Sequence, residues 1–223
     1  MRKLLIIGIG AGDPDQMTVQ AIAALNRADV IFLPDKGQEK AALRHLREAI
    51  CARFIERPFR SVTMETPRRA EAGDDYRGVV DDWHARIAAS YAALFRQELA
   101  EGQTGALLVW GDPALFDSTL RIAQRIRKVR PLDLKVVPGL MSLQVLAASH
   151  AIPLNRLAEP FLVTTGRHLR EHGWPSGIDT LVVMLDGECS FTTLDPAGVS
   201  IWWGAYVGMK GEILDHGPLS EAG

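Results

Sequence analysis

Three glycine-bearing turns carry the residues best placed for chemistry. Gly8-Ile9-Gly10-Ala11-Gly12, Gly111-Asp112-Pro113 and Pro138-Gly139 each follow a short apolar run. In a parallel sheet, ligands gather at the carboxyl ends of strands, and glycine lets backbone approach a ligand closely. Three such ends in one chain point to a shared small-molecule cleft. The first turn also invites a dinucleotide, because Asp35 ends the second apolar run about where a ribose-binding acid would stand. Its spacing is G-x-G-x-G, however, and Asp13 and Asp15 flank Pro14 where the next helix begins. A pyrophosphate there would meet carboxylates, so a nicotinamide-dependent oxidoreductase is the alternative from a different class rather than the main reading.

His168-Leu169-Arg170-Glu171-His172 matches H-x-x-E-H, the inverted zincin pattern, which needs both histidines on one face of a firm helix and a third ligand beyond. Gly166 and Gly173-Trp174-Pro175 bracket the motif closely. The expectation is therefore a solvated loop, or a positive rim for an anionic ligand made by Arg167, His168 and Arg170, and no metal. Cys51 and Cys189 lie far apart without Cys/His metal spacing, which predicts two free thiols in a cytoplasmic protein. There is no G-x-S-x-G nucleophile elbow, and Ser142 reads as a helix-start serine without a partner. Trp202-Trp203 reads as core.

These residues must be held by alternating strands and helices. Strands are expected at 3–9, 30–33, 106–110 and 134–137, and helices at 18–28, 39–53, 76–101, 115–129 and 141–148, which is the pattern of a parallel α/β fold. From Phe161 the runs FLVTT, TLVVML, SIWWGAYVG and EILDHG are short and turn-separated, as in a mixed or antiparallel sheet. A composition shift near 112–120 predicts two α/β domains, 1–113 and 114–223, with the active-site cleft between them. The 223 residues, 47% hydrophobic and 23% charged, suffice for a buried core. No apolar run reaches the roughly 18–20 residues of a membrane span. The opening MRKLLIIGIGAGDPD lacks a small-residue cleavage site and runs into turn chemistry, so it reads as a first strand rather than a signal peptide. A net charge of −2 without a basic run speaks against a nucleic-acid partner.

IIGIGAGDPDQMTVQAI, VWGDPALFDS, VVPGLMSLQVLAASHAIPLNR and FLVTTG, in that order and spacing, resemble the tetrapyrrole methylase family. The resemblance covers nearly the whole chain. It implies two α/β domains, S-adenosylmethionine as methyl donor in the cleft between them, a precorrin or related tetrapyrrole as substrate, and a homodimer. LPDKG, VWGDPALFDSTLRI, VMLDGECSF and WWGAY are most like the member that methylates C1 of precorrin-5 and releases acetate. Another precorrin or uroporphyrinogen C-methyltransferase of the family is the alternative.

Carried over residue by residue, the resemblance implies cofactor contacts at Ala11 (where relatives carry proline), Gly111, Asp112, Leu115, Ser142, Met184 or Leu185, Gly204 and Ala205. Release of an acetyl group asks for a base near an acetyl carbonyl. Asp35, Asp186 and Glu188 are the candidates. The substrate's carboxylates are expected to meet Lys36, Arg156, Arg167 and Arg170. The chain departs from the family at Asp117, where relatives commonly carry glycine, and at Met184-Leu185-Asp186-Gly187-Glu188, where they tend to carry Tyr-Met-Gly. Residues 56–82 look longer than usual, as a substrate-side flap would be. GPLSEAG falls short of the family's usual terminal helix and strand, which predicts either a trimmed second lobe or one closed differently.

Overall fold

The run KLLIIG is apolar at every position after Lys3 because both faces of the strand are covered. In the computed structural model, which describes residues 1–35, 41–70 and 75–221, this strand is β1 (Lys3–Gly8) of a five-stranded parallel sheet. The sheet belongs to the first of two units, Met1–Met141; the second is Ser142–Gly223. The other strands of the first unit are β2 (Val30–Asp35), β3 (Arg60–Glu65), β4 (Thr104–Val109) and β5 (Asp133–Val137). They are ordered β3-β2-β4-β1-β5, and every pairing is parallel.

Alternate residues of the strands serve opposite layers. Ile7, Ile31, Leu108 and Val137 pack with Ala21 and Leu25 of α1 (Val19–Leu25) and Ile50 of α2 (Ala41–Phe54). Leu4, Phe32 and Leu107 pack with Ile87 and Phe95 of α3 (Tyr76–Glu98) and Ile122 and Ile126 of α4 (Thr119–Val129). Because α1 leaves β1 on one face and α4 leaves β4 on the other, the chain diverges at the carboxyl ends of these neighbouring strands. Crevices in open α/β sheets form at such points.

The second unit is made of α5 (Ser142–Ser149), β6 (Phe161–Thr165), α6 (Gly166–His172), β7 (Thr180–Met184), β8 (Ser200–Ala205) and β9 (Ile213–Pro218). β6 and β7 form a parallel pair, whereas β8 and β9 form an antiparallel one. No helix among the described residues is long and apolar enough to cross a membrane.

Four sequence expectations need correction. The chain divides after Met141 instead of at 113/114, because α4 packs beside α3 and β5 pairs with β1 in register from Lys3 to Ile7. The expected flap at 56–82 contains β3, an edge strand that pairs with β2 along its full length. Its alternation of exposed and covered residues hides it from a search for apolar runs. The H-x-x-E-H segment is a helical turn, since Thr165 caps it by accepting from His168 N at 3.3 Å and Gly173 ends it. Trp202 is 40% exposed instead of buried in a core.

His84 of α3 is 6% exposed, and its Nε2 has no hydrogen-bond partner among the described residues. Burial, with Arg125 and Arg121 nearby, holds its pKa below the ordinary 6.5. A histidine kept neutral in the fold stabilises it above the unfolded-state pKa, and that contribution is lost as pH falls below 6.5. The urea midpoint should therefore drop between pH 7.5 and 5, and His84→Leu should flatten that part of the curve. An unchanged slope in the variant would assign the acid sensitivity elsewhere.

Candidate functional site

At the carboxyl ends of β1, β4 and β5, three backbone segments meet without side chains between them. A Cβ on Gly8 would lie 2.5 Å from Gly139 N and 2.8 Å from Gly111 O, and one on Gly139 would strike Gly111 O. Asp112 ties the knot. Its Oδ2 accepts from Gly139 N at 2.9 Å, and its Oδ1 accepts from Ala114 N at 2.7 Å. Gly111 N donates to Gly10 O at 2.8 Å, so the first and second turns are bridged directly.

Gly111 itself differs from the other two. Its φ of +72° is the left-handed region that favours glycine, and nothing lies within 4 Å of where a Cβ would stand. One side of this turn is thus open for a ligand to approach backbone. Ala11 is held on the same turn system: its N donates to Gln16 Oε1 at 2.9 Å and its carbonyl accepts from Trp110 Nε1. Gln16 and Trp110 carry no motif signal; their role becomes visible only when the turns are seen together. Leu115 follows the Asp112 turn and is partly buried, with Phe116 next to it in a left-handed conformation at φ +53°.

The first turn does not present a helix N-terminus to a phosphate. Asp13 accepts from Asp15 N at 2.8 Å and caps a short 3-10 turn, while α1 starts only at Val19 with Thr18 as its cap. The carboxylates stand where a pyrophosphate would need donors.

Asp35 ends β2 and faces Arg44 of α2, whose Nη1 lies 3.4 Å from Asp35 Oδ2. Lys36 falls outside the described residues.

In the second unit the structure gathers residues that the sequence had assigned to different roles. Asp186 Oδ2 accepts from Ser190 N at 2.7 Å, and Oδ1 accepts from Ser190 Oγ at 2.8 Å and Glu188 N at 3.2 Å. Arg170 Nη1 donates to Ser190 Oγ at 2.5 Å, and its Nη2 pairs with Glu188 at 3.1 Å. Gly166 leaves room for the Asp186 carboxylate, which a Cβ would strike. Two base candidates and one substrate-binding candidate thus form one network around Ser190, which is fully buried. Sequence reading missed Ser190, a serine in a polar turn with nothing to mark it.

Leu185, just before this network, is 71% exposed at φ +53°, and Met184 closes β7. Gly204 and Ala205 close β8, with Gly204 against Leu146 and Leu214. Ser142 is the first residue of α5. Two further cations expected to bind substrate already have carboxylate partners: Arg156 with Asp179 at 2.6 Å and Arg167 with Glu171 at 3.7 Å. His168 and His172 stack at 4.2 Å, but no group of three or more His, Cys, Asp or Glu side chains that could hold a metal occurs among the described residues. Both cysteines are free, and burial with Glu48 nearby pushes the Cys51 thiol up to about 11.

The model of the tetrapyrrole (corrin/porphyrin) methylases matches residues 3–223. A precorrin-6A synthase [deacetylating] from Sinorhizobium sp. is 50% identical over 99% of this chain and 85% of its own length. Among solved structures, the cobalamin-synthesis-related protein CobF from Corynebacterium diphtheriae superposes with a TM-score of 0.81 at 36% identity, over 99% of this chain and 87% of that one. The uroporphyrin-III C-methyltransferase from Thermus thermophilus complexed with S-adenosyl homocysteine shares the fold, with a TM-score of 0.64 at 20% identity over 98% of this chain and 84% of that one.

The knot makes a direct prediction. Gly139→Ala forces backbone apart and should cost about 3 kcal/mol, whereas Gly111→Ala meets open space and should cost only the left-handed penalty of about 1–2 kcal/mol. Urea denaturation of the two variants gives the ranking; equal losses would mean that the strand ends are not in contact.

Proposed function

Because the chain belongs to the tetrapyrrole methylases, we propose that it is an S-adenosylmethionine-dependent C-methyltransferase of cobalamin biosynthesis that methylates C1 of precorrin-5 and releases acetate, giving precorrin-6A. The carrying observation is the 50% identity to a precorrin-6A synthase [deacetylating] across 99% of the chain.

The geometry fits a cofactor held largely by backbone. Gly111 offers an open left-handed turn, and Asp112 and Gln16 fix the turns beside it. The family resemblance assigns further cofactor contacts in the second unit to Met184, the last residue of β7, Leu185 after it, and Gly204 and Ala205 at the end of β8. Bound S-adenosylmethionine supplies an electrophilic methyl group. The protein's task is to hold a ring carbon in line with it at roughly 3–3.5 Å and to exclude water.

Acetate release requires more of the side chains: a base for water and a donor for the carbonyl oxygen. Asp186 already accepts three hydrogen bonds within its turn, while Glu188 is paired with Arg170 and Asp35 with Arg44; of these paired carboxylates we prefer Asp35 as the base for its place on the sheet edge. Its position at the end of β2 is on the ligand-binding edge of a parallel sheet. The reading retains a homodimer and a cytoplasmic location, with which two free thiols agree.

Purified protein should bind S-adenosylmethionine by calorimetry and, with precorrin-5, form S-adenosylhomocysteine and acetate in equal amounts. Absence of cofactor binding would remove the methyltransferase reading. Methyl transfer without acetate would leave a methylase of different specificity. Asp35→Asn should retain cofactor affinity while acetate release slows about 100-fold or more.

A further inference from the structure

Arg47 is the one arginine or lysine among the described residues that is partly buried and has no carboxylate within 4 Å of its charged nitrogens. Its position follows from the sheet. β2 pairs with β4 only from Val30 to Phe32, ending at Leu107, and Pro34 brings no N–H to continue the ladder. Beyond that point the two strands fork. Arg47 reaches into the fork from α2, donating from Nε to Leu108 O at 2.9 Å and from Nη1 to Leu43 O at 3.0 Å. Nη2 has no hydrogen-bond partner among the described residues.

At the fork, on the carboxyl edge of the sheet, Asp117 from the β4–α4 turn and Tyr91 from α3 lie within electrostatic reach of Arg47. Asp117 Oδ1 accepts from Thr119 N at 2.6 Å, and the Tyr91 hydroxyl is bonded to Thr66 Oγ1 at 3.1 Å, so neither makes a direct contact with the guanidinium. Burial pushes the Arg47 guanidinium down from its ordinary value, although arginine stays protonated in proteins. Withdrawing a guanidinium from water without an ion partner is costly. The two carbonyl contacts orient it, and Asp117 offsets its charge only from a distance, with no direct ion pair.

We propose that Arg47 binds a carboxylate arm of the tetrapyrrole substrate. The assignment rests on the function proposed above for the substrate class, but it comes from a different observation. Arg156, Arg167 and Arg170 each already have a carboxylate partner, whereas Arg47 stands ready for an external one. A planar guanidinium held by two carbonyls is preorganised for a carboxylate in a way that a mobile surface lysine is not.

Steady-state kinetics of the full chain with precorrin-5 and S-adenosylmethionine, for wild type, Arg47→Gln and Arg47→Lys, test this. Arg47→Gln should raise KM for precorrin-5 about 10- to 100-fold, with cofactor affinity and melting temperature close to wild type. Arg47→Lys should recover part of the loss, since it keeps the charge but not the fork. An unchanged KM in Arg47→Gln overturns the proposal. So does a rise in KM that comes with a fall in cofactor affinity and melting temperature, since that marks a merely structural arginine. If wild type methylates a different precorrin, the proposed function fails while the same KM comparison on that substrate still decides Arg47. If no tetrapyrrole is turned over, both readings fall.

Discussion

The close approach of Gly8, Gly111 and Gly139 is the constraint on which the rest of the first unit depends. Three parallel strands end at the same level, and their backbones touch with no side chain between them. Contact at this distance is possible only without a Cβ, and the polar groups it removes from water must be paired. Asp112 supplies part of that pairing by taking backbone N–H groups from its own turn and from Gly139. The carboxylate is therefore structural first. It fixes the exit of β4 so that Gly111 keeps one face open.

The second unit uses the same device in a different place. Asp186 collects donors from Ser190 and Glu188, and Arg170 closes the network from α6. Charges that look like available chemistry in a list of residues are here spent on holding a turn. A half-buried carboxylate with its hydrogen bonds made is a poor candidate for moving protons, which shifts the search for a base to Asp35, paired with Arg44 on the first unit's sheet edge. The contrast with Arg47 follows the same logic in reverse. Its contacts are to carbonyls, which orient a guanidinium without cancelling its charge.

Much of this architecture was legible. β1, β2 and β4 announce themselves because strands covered on both faces need apolar residues at successive positions, and β5, although a largely exposed edge strand, still carries the short run at 134–137. β3 was not legible, since an edge strand with solvent on one side reads RSVTME and shows no such run. The division between the units also escaped, because it depends on β5 choosing β1 as its neighbour, a pairing between residues far apart in sequence. The helix at 166–172 was hidden by its glycines: Gly166 is its first residue and Gly173 ends it.

Residue types and order alone determined the alternating α/β class, the three glycine turns as candidate ligand contacts, the exclusion of a pyrophosphate at Asp13 and the resemblance to the tetrapyrrole methylases. These are local properties: hydrophobic period, turn chemistry and the charge beside a helix start act over a few residues. Only the tertiary structure decided which charges are free to act. That Asp186 and Arg170 pair around Ser190, and that Arg47 enters the fork beyond Phe32 with no carboxylate within 4 Å among the described residues, depends on side chains brought together from separate elements. Electrostatic neutralisation is decided by distances of a few ångströms in space, which spacing along the chain does not encode.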